Sequence, residues 1–565
     1  MRHAVFFLIA VALAGCAGQR APEGGPIDTD PPVVVSTIPP NYTTHFSGQS
    51  ITIEFSEYVD HRAVEGAIYI SPSLGPLTFD WSGREVEIRF PDRLRQNRTY
   101  VVTVGTDVSD LNNRNKMAQA YTLAFSTGDE IDHGVIEGRV FPRQATDSPQ
   151  GATILAYQLN DINPDTLDPK TTQPDYVTQT GKTGEFTLRH LAFGTYRILA
   201  LKDVFKNLLY DPETDDFGVA NGDIKVTPYD TLRSNVWMRL VREDTTAIRL
   251  LKVTALNRRL LKADFSSAIA AREIVASRFN VSDTSSHRSL EVVAAASVFP
   301  QLTSVLLVTE QQAAELIYRL DVDSLRTQSG LGMNALARSL VFAGSGIPDT
   351  NGPAVTSLSI GDTSRGADLD ARLSIHFSVP VIRATAERAV SLVDSGSAAV
   401  PFRATWLSDA SVELKPEKPM KSRVSHTVRV RPALITDATG KSGRDSLRTF
   451  RFRTIDQDLF STIEGAVSDT GSLDVGGPIY VVAQEATAKE TRERVFRLDR
   501  AGTFILKEIP EGKYILRAYR DRNGNGQFDP GRVFPFKPSE RTAQYADTLK
   551  IRARWPLEGV KLWLH

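Results

Sequence analysis

The chain has 565 residues, a single cysteine, 66 Lys plus Arg against 67 Asp plus Glu, and 41% hydrophobic residues. Balanced charge supplies no field that would draw nucleic acid or an anionic surface, and one cysteine excludes internal disulfides, a Cys-based zinc site and a CxxC redox pair. The apolar content is too high for a disordered chain, and the length suggests four or five domains at about 100–150 residues each.

Residues 1–15 read MRHAVFFLIAVALAG, a basic start at Arg2 followed by 11 residues, Ala4 to Ala14, without a charge. That run is too short to span roughly 30 Å of hydrocarbon and fits the core of a secretion signal. Leu13-Ala14-Gly15-Cys16 resembles the bacterial lipobox. The resemblance implies that 1–15 is a lipoprotein signal peptide removed before Cys16, and that Cys16 carries the lipid through which the chain meets the membrane. The other reading is an ordinary signal peptide with a chance Cys. Two lipid chains already hold a protein stably. The residue after Cys16 is Ala17 rather than Asp, which in lipoproteins of that kind points to the outer membrane. Residues 16–32 form a Gly/Pro tether with a reach on the order of 50 Å at about 3.3 Å per residue.

From residue 33 onward strand patterns dominate. Ile51-Thr52-Ile53-Glu54-Phe55 and Leu373-Ser374-Ile375-His376-Phe377 alternate apolar and polar positions, giving one buried and one wet face. Leu290 to Val308 carries polar residues and Pro300, and reads as two strands around a turn rather than a membrane span. Short helices are expected at Gln311 to Arg319 and at Ala384 to Val390.

Internal similarity divides the chain further. ITIEFSEYV (51–59) returns as LKADFSSAI (261–269) and LSIHFSVPV (373–381). Each copy closes on a turn-rich segment, VSDLNNRN (108–115), LRTQSGLGMN (325–334) or LITDATGKSG (434–443). These units span 33–128, 248–347 and 353–455, the middle one being the most degenerate. A second unit opens with IEGRV (136–140) and IEGAV (463–467), and its centre reads TGEFTLRHLAFGTYRILALKD (183–203) and AGTFILKEIPEGKYILRAYRD (501–521). These units span 134–240 and 460–565. The Tyr of each Gly-x-Tyr, Tyr196 and Tyr514, is expected to pack inward.

The first unit resembles the bacterial Ig-like domains typified by S-layer proteins, through the Pro-Pro opening at 31–40, EFSEYV and VSDLNNRN. The second resembles the transthyretin-like, regulatory-type sandwich appended to carboxypeptidases, through IEGRV, the GEF step and LAFGTYRILALKD. With the lipobox and GGPIDTDPP, the N-terminal arrangement is similar to that of Bacteroidota Ig-like lipoproteins. The resemblance implies an all-β chain of tandem Ig-like and transthyretin-like sandwiches after a lipoprotein signal peptide. It imports no peptidase chemistry, since those zinc ligands belong to a different domain.

The strongest chemical candidate is DRNGNGQFDPGR, 521–532. Asp521, Asn523, Asn525 and Asp529 are spaced so that their oxygens could converge on Ca²⁺, the only cofactor the sequence suggests. Arg532 stands where an EF-hand needs a bidentate Glu. The rival reading is a plain tight turn, because Asn-Gly twice in succession is hairpin chemistry. The sister loop 203–211 keeps Asp203, Asn207 and Asp211 but places Phe205 between them.

Enzyme signatures are missing: the nine histidines form neither HxH nor HExxH, and there is no nucleophile elbow or P-loop. His376 near Ser378 reads as a wet strand-face residue, and Asp215-Asp216 as a solvated loop pair. Trp81 and Trp406 hold similar places in their units, which points to a shared packing contact. The expectation is a non-catalytic, lipid-anchored protein of the bacterial outer membrane, acting as a semi-rigid arm with 460–565 as its distal module. A protein or glycan partner bound at loop ends, or an assembly role on the periplasmic face, are the alternatives.

Overall fold

The computed structural model describes residues 28–565 except 92, 145, 161, 244–246, 300–301, 328–329, 361–363, 445, 470–475 and 487–492. The fold is all-β, and strands pair into small sheets that pack two by two along the chain. The residues gather in two compact units. Among the described residues, one unit runs from the start to Arg242 and includes Gln527–Thr542 and His565, and the other comprises Glu243–Gly526 with Ala543–Leu564.

In the first sandwich a four-stranded sheet, ordered Val34–Ile38, Ser50–Phe55, Glu85–Arg89 and Thr78–Ser82, faces a three-stranded sheet of Ile68–Ser71, Thr99–Val104 and Tyr121–Ser126. The alternation read from ITIEF is realised: Ile51, Ile53 and Phe55 are at most 1% exposed and share a core with Val86, Ile88, Tyr100 and Phe125. Thr99–Val104 is buried at every position. Its second face lies against Tyr176–Gln179 and Glu185–Leu191 of the next sandwich, so both faces are dry.

The fourth sandwich repeats this plan. Val355–Leu358, Leu373–Phe377, Ser411–Pro416 and Phe402–Ser408 form one sheet, and Ser364–Ala367, Arg448–Thr454, Ser425–Val430 and Val390–Asp394 the other. The first and fourth sandwiches each insert one short helix, α1 (His61–Glu65) and α2 (Arg383–Ala389). The sequence patterns showed α2 and missed α1, which has five residues and one buried side chain, Val64. Each helix supplies a Glu to the paired Trp. Trp81 Nε1–H donates to Glu65 Oε1 (3.3 Å) and Trp406 Nε1–H to Glu387 Oε1 (2.7 Å). His61 stacks on Trp81 at 3.8 Å, and the Arg383 guanidinium lies 5.6 Å from the Trp406 ring. The shared Trp position is therefore a packing contact whose indole N–H is satisfied.

Closing turns also share a device. Asp110 accepts the backbone N–H groups of Asn113, Arg114 and Asn115, and Asp437 those of Thr439 and Lys441. In the third sandwich Thr327 takes this place, its Oγ1 accepting Leu331 N–H. Burial pushes the Asp110 carboxyl up, but the N–H donors outweigh it and hold the pKa below its ordinary value.

The third sandwich, from Leu250–Asn257 to Ser339–Ala343, corrects one expectation. Gln311 to Arg319 is not a helix: Ile317–Val322 is a strand flanked by Phe279–Asp283 and Ser339–Ala343. Tyr318, Leu320 and Val322 alternate inward, so period-two pairing overrides a weak local helical preference.

The second and fifth sandwiches share a different topology. Gly134–Phe141 is central in a three-stranded sheet, antiparallel to Glu185–Leu191 and parallel to Leu232–Arg239. Ser461–Asp469 is placed likewise between Gly502–Ile509 and the parallel Leu557–Leu564. Tyr196 and Tyr514 are 0% and 3% exposed, as the Gly-x-Tyr pattern suggested. Segment Gln527–Thr542 belongs to the first unit, where Val533 is fully buried among Leu155, Tyr157, Leu199 and Val219. The Arg197 guanidinium, paired with Asp223, lies 3.7 Å over the Phe536 ring. Residues 527–542 of the 460–565 range thus add side chains to the core of the second sandwich.

Candidate functional site

Cys16, the expected lipidation site, lies outside the described residues. In the 521–529 loop, Asp521 is fully buried. Its Oδ1 accepts Gly524 N–H (2.7 Å) and Asn525 N–H (3.1 Å), and its Oδ2 accepts Gly526 N–H (2.8 Å). Asn523 Oδ1 also turns to the backbone, accepting Asn525 N–H at 2.9 Å. Gly524 and Gly526 sit at φ +75° and +76°, the left-handed region that the Asn-Gly pattern anticipated. The loop is thus a tight turn organised on Asp521, the closure already seen at Asp110 and Asp437. Asp529 lies in the Gln527–Thr542 segment, where its N–H donates to Glu540 Oε2 (3.0 Å). Among the described residues, no group of three or more His, Cys, Asp or Glu side chains is placed to hold a metal ion. In the sister loop Asp203 accepts the N–H groups of Asn207 and Leu208, so it too serves the turn.

Two expectations about polar residues are overturned. Asp215 is 0% exposed and accepts the N–H groups of Val204 and Asp211, while Asp216 pairs with Arg242 (2.7 Å). These carboxylates are structural, not solvated. His376 is not wet either: it is 9% exposed, its Nδ1 sits 2.8 Å from Ser411 Oγ, and its ring stacks on Phe299 at 5.1 Å. Ser411 faces it because the two residues are register partners on neighbouring strands, whereas the Ser378 hydroxyl accepts Ala354 N–H. Burial of both partners closes this His–Ser pair to a substrate.

Burial also pushes the His376 pKa below its ordinary 6.5. The neutral imidazole is therefore the folded form. Stability contributed here is intact above pH 6.5 and is lost progressively as pH falls from there toward the lowered folded pKa. His426 in the same sandwich, stacked on Phe452, is shifted in the same direction. Denaturation of the full chain should show the fourth sandwich weakening as pH falls below about 6.5, with His376→Gln removing part of that slope and leaving the His426 part. An unchanged slope in that variant would overturn the assignment.

The polar machinery that the sequence did not show sits in the first unit, at the joint between the first two sandwiches. Gln179 Nε2–H donates to Tyr69 Oη (3.1 Å), its Oε1 accepts Asp107 N–H (3.1 Å), and Thr106 Oγ1–H donates to Thr180 O (2.9 Å). Asp107 holds both Lys116 (2.8 Å) and Lys206 (3.1 Å). Burial raises the Asp107 carboxyl, but the two lysines outweigh it and keep the pKa below ordinary. Burial raises the Tyr69 phenol and lowers the Lys202 ammonium, whose Nζ–H donates to Gln150 O. The contributing residues are scattered from 69 to 206, with no motif that could have revealed them.

Beside this joint opens a groove of about 450 Å³, lined by Gln119, Thr122, Thr178, Lys182, Thr187 and Arg189 among others. Its amides, hydroxyls and two cations can hydrogen-bond a polar ligand, and Lys182 N–H is itself tied across the joint to Ala118 O. The outer strands Tyr121–Ser126 and Glu185–Leu191 each contribute residues to its wall.

Comparison with known proteins adds the following. The chain matches no curated protein. Among solved structures it is similar to surface layer protein SbsC, domains 1–6, at 10% identity over 94% of this chain and 68% of that one, with TM-score 0.17. It is also similar to the N-terminal part of the bacterial S-layer protein SbsC, at 9% identity over 37% and 44% with TM-score 0.17. L,D-transpeptidase 3 from Mycobacterium tuberculosis aligns at 18% identity over 20% of this chain and 40% of that one, with TM-score 0.14. The chain thus spans less than half the length of the latter two. The model of the bacterial Ig-like domain matches residues 28–127 and 349–454, so the chain carries two bacterial Ig-like domains within a multidomain β protein.

Proposed function

We propose that the chain is a lipid-anchored, non-catalytic protein of the bacterial outer membrane that acts as a structural or adhesive scaffold. The observation that carries the scaffold role is the joint between the first two sandwiches. Buried and half-buried polar bonds through Tyr69, Thr106, Asp107 and Gln179 tie them together, and their apposed strands leave Thr99–Val104 dry on both faces. Such a joint resists bending, which suits load bearing or presentation more than it suits a hinge around a substrate. The anchor rests on Leu13-Ala14-Gly15-Cys16 and the outer-membrane address on Ala17. We read 33–128, 248–347 and 353–455 as Ig-like domains, and 134–240 and 460–565 as transthyretin-like domains.

Cys16→Ser is expected to abolish labelling with a lipid precursor and to shift the protein from the membrane to the soluble fraction. Retention of the variant in membranes would remove the anchor from the proposal. Protease treatment of intact cells then separates the two faces: digestion marks a surface scaffold, and protection marks a periplasm-facing role in envelope assembly. The polar groove beside the joint favours a second reading, in which the scaffold also binds a polar partner such as a glycan.

A further inference from the structure

The near-neutral total conceals one strongly basic module. Residues 353–455 hold 16 Lys plus Arg against 10 Asp plus Glu, a net of +6 inside a chain whose total is −1. Their arrangement is set by strand alternation. In the sheet ordered Ser364–Ala367, Arg448–Thr454, Ser425–Val430 and Val390–Asp394, one face enters the core through Leu392, Val428, Val430 and Phe452. The opposite face carries Arg429, Arg451 and Arg453, the last two exposed. Cross-strand register places Arg429 between Ser391 and Thr449, Arg451 opposite Thr427, and Arg453 opposite Ser425.

We propose that this sheet face docks an acidic polysaccharide. Arg451 and Arg453 are two residues apart, about 7 Å along the strand, and Arg429 lies one diagonal step from Arg451 at a similar spacing. The three arginines therefore stand in a row along the face, Arg453 donating its Nε–H to Arg423 O (3.2 Å), and that row matches a polymer with repeated anionic groups rather than one small ion. Guanidinium forks pair bidentately with carboxylate or sulfate, and the intervening hydroxyls offer donors and acceptors for sugar hydroxyls. At the ends of this sheet Asp394 is paired with Lys421 and Asp456 with Arg423, each at 3.1 Å, and Asp368 with Arg494 at 2.7 Å.

Charge complementarity alone would admit other polyanions, and the neighbouring side chains decide against them. Outward positions on these three central and edge strands carry no aromatic ring for a nucleobase to stack on. Val393, their one apolar side chain, is 8% exposed and cannot anchor in a bilayer.

The test uses the purified full chain with heparin and polygalacturonate as probes at about 0.1 M NaCl, the salt at which charge-driven binding is readily seen. The expected result is binding that falls with salt and weakens about tenfold or more in the triple variant Arg429→Gln, Arg451→Gln, Arg453→Gln. Arg453→Gln alone, at an exposed position that leaves folding intact, should shift affinity in the same direction. A control with equal charge loss in the third sandwich, Arg249→Gln, Arg288→Gln and Arg326→Gln, should retain wild-type affinity. The proposal is overturned if neither polysaccharide binds or if both triple variants lose affinity equally. It is also overturned if phosphatidylglycerol vesicles or single-stranded DNA bind the same arginines as tightly. None of these outcomes depends on the lipid anchor, which fractionation tests separately.

Discussion

Gly138→Ala is expected to destabilise the second sandwich by about 3 kcal/mol, at the upper end of the overpacking range, and Gly465→Ala to do the same in the fifth. These are the glycines of IEGRV and IEGAV. Each sits mid-strand, between an antiparallel neighbour carrying Phe186 or Phe504 and a parallel neighbour carrying Val236 or Val560. A Cβ on Gly138 would meet the Val236 carbonyl oxygen and the Phe186 ring, and one on Gly465 the Val560 carbonyl oxygen and the Phe504 ring, all within 3.0 Å. Two of the obstacles are backbone atoms of a paired strand, which cannot swing away as a side chain end could. Gly502→Ala is the control, since nothing lies within 4 Å of its Cβ position. It should leave stability within about 0.5 kcal/mol. Hydrogen exchange of peptides from 134–141 and 461–469, followed through denaturant, reads each sandwich separately in a multidomain chain. Unchanged protection in Gly138→Ala would show that the strand pair has room the geometry denies.

The second large effect is expected from Val533→Asp. Val533 is fully buried against Leu155, Tyr157, Leu199 and Val219. The substitution removes that apolar contact and sets a carboxylate against an apolar wall, a cost of about 3 kcal/mol or more. Segment Gln527–Thr542 should then detach from the second sandwich and become a site of limited proteolysis, while strands such as Ile479–Glu485 keep their protection. Loss of the Arg197–Phe536 contact should accompany release, although the Arg197–Asp223 pair needs no part of the segment. A variant that resists proteolysis at 527–542 as the wild type does would contradict the packing of this segment.

Much of this architecture was legible in the residues. Period-two alternation placed Ile51, Ile53 and Phe55, and Ile375 and Phe377, on buried faces. Repeated Gly-x-Tyr and Asn-Gly elements anticipated inward tyrosines and left-handed glycines, because both depend on a few neighbouring backbone angles. His376 shows where that reasoning ends. Alternation assigned it the side opposite Ile375, but Phe299, 77 positions earlier in the chain, covers that side and dries the imidazole. Asp215 likewise looked like a loop carboxylate, and its burial follows from N–H donors that only the folded loop brings to it.

By itself the sequence determined the fold class, the two recurring unit types, the turn chemistry and the Cys16 motif, all properties carried by short-range spacing. Tertiary structure alone decided the joint through Tyr69, Asp107 and Gln179, the entry of Val533 into the second sandwich, and the row of Arg429, Arg451 and Arg453. The reason is physical. Local periodicity tells which face of a strand is apolar, whereas what covers the other face, and which charges become neighbours there, depends on strand register and packing between segments far apart in the chain.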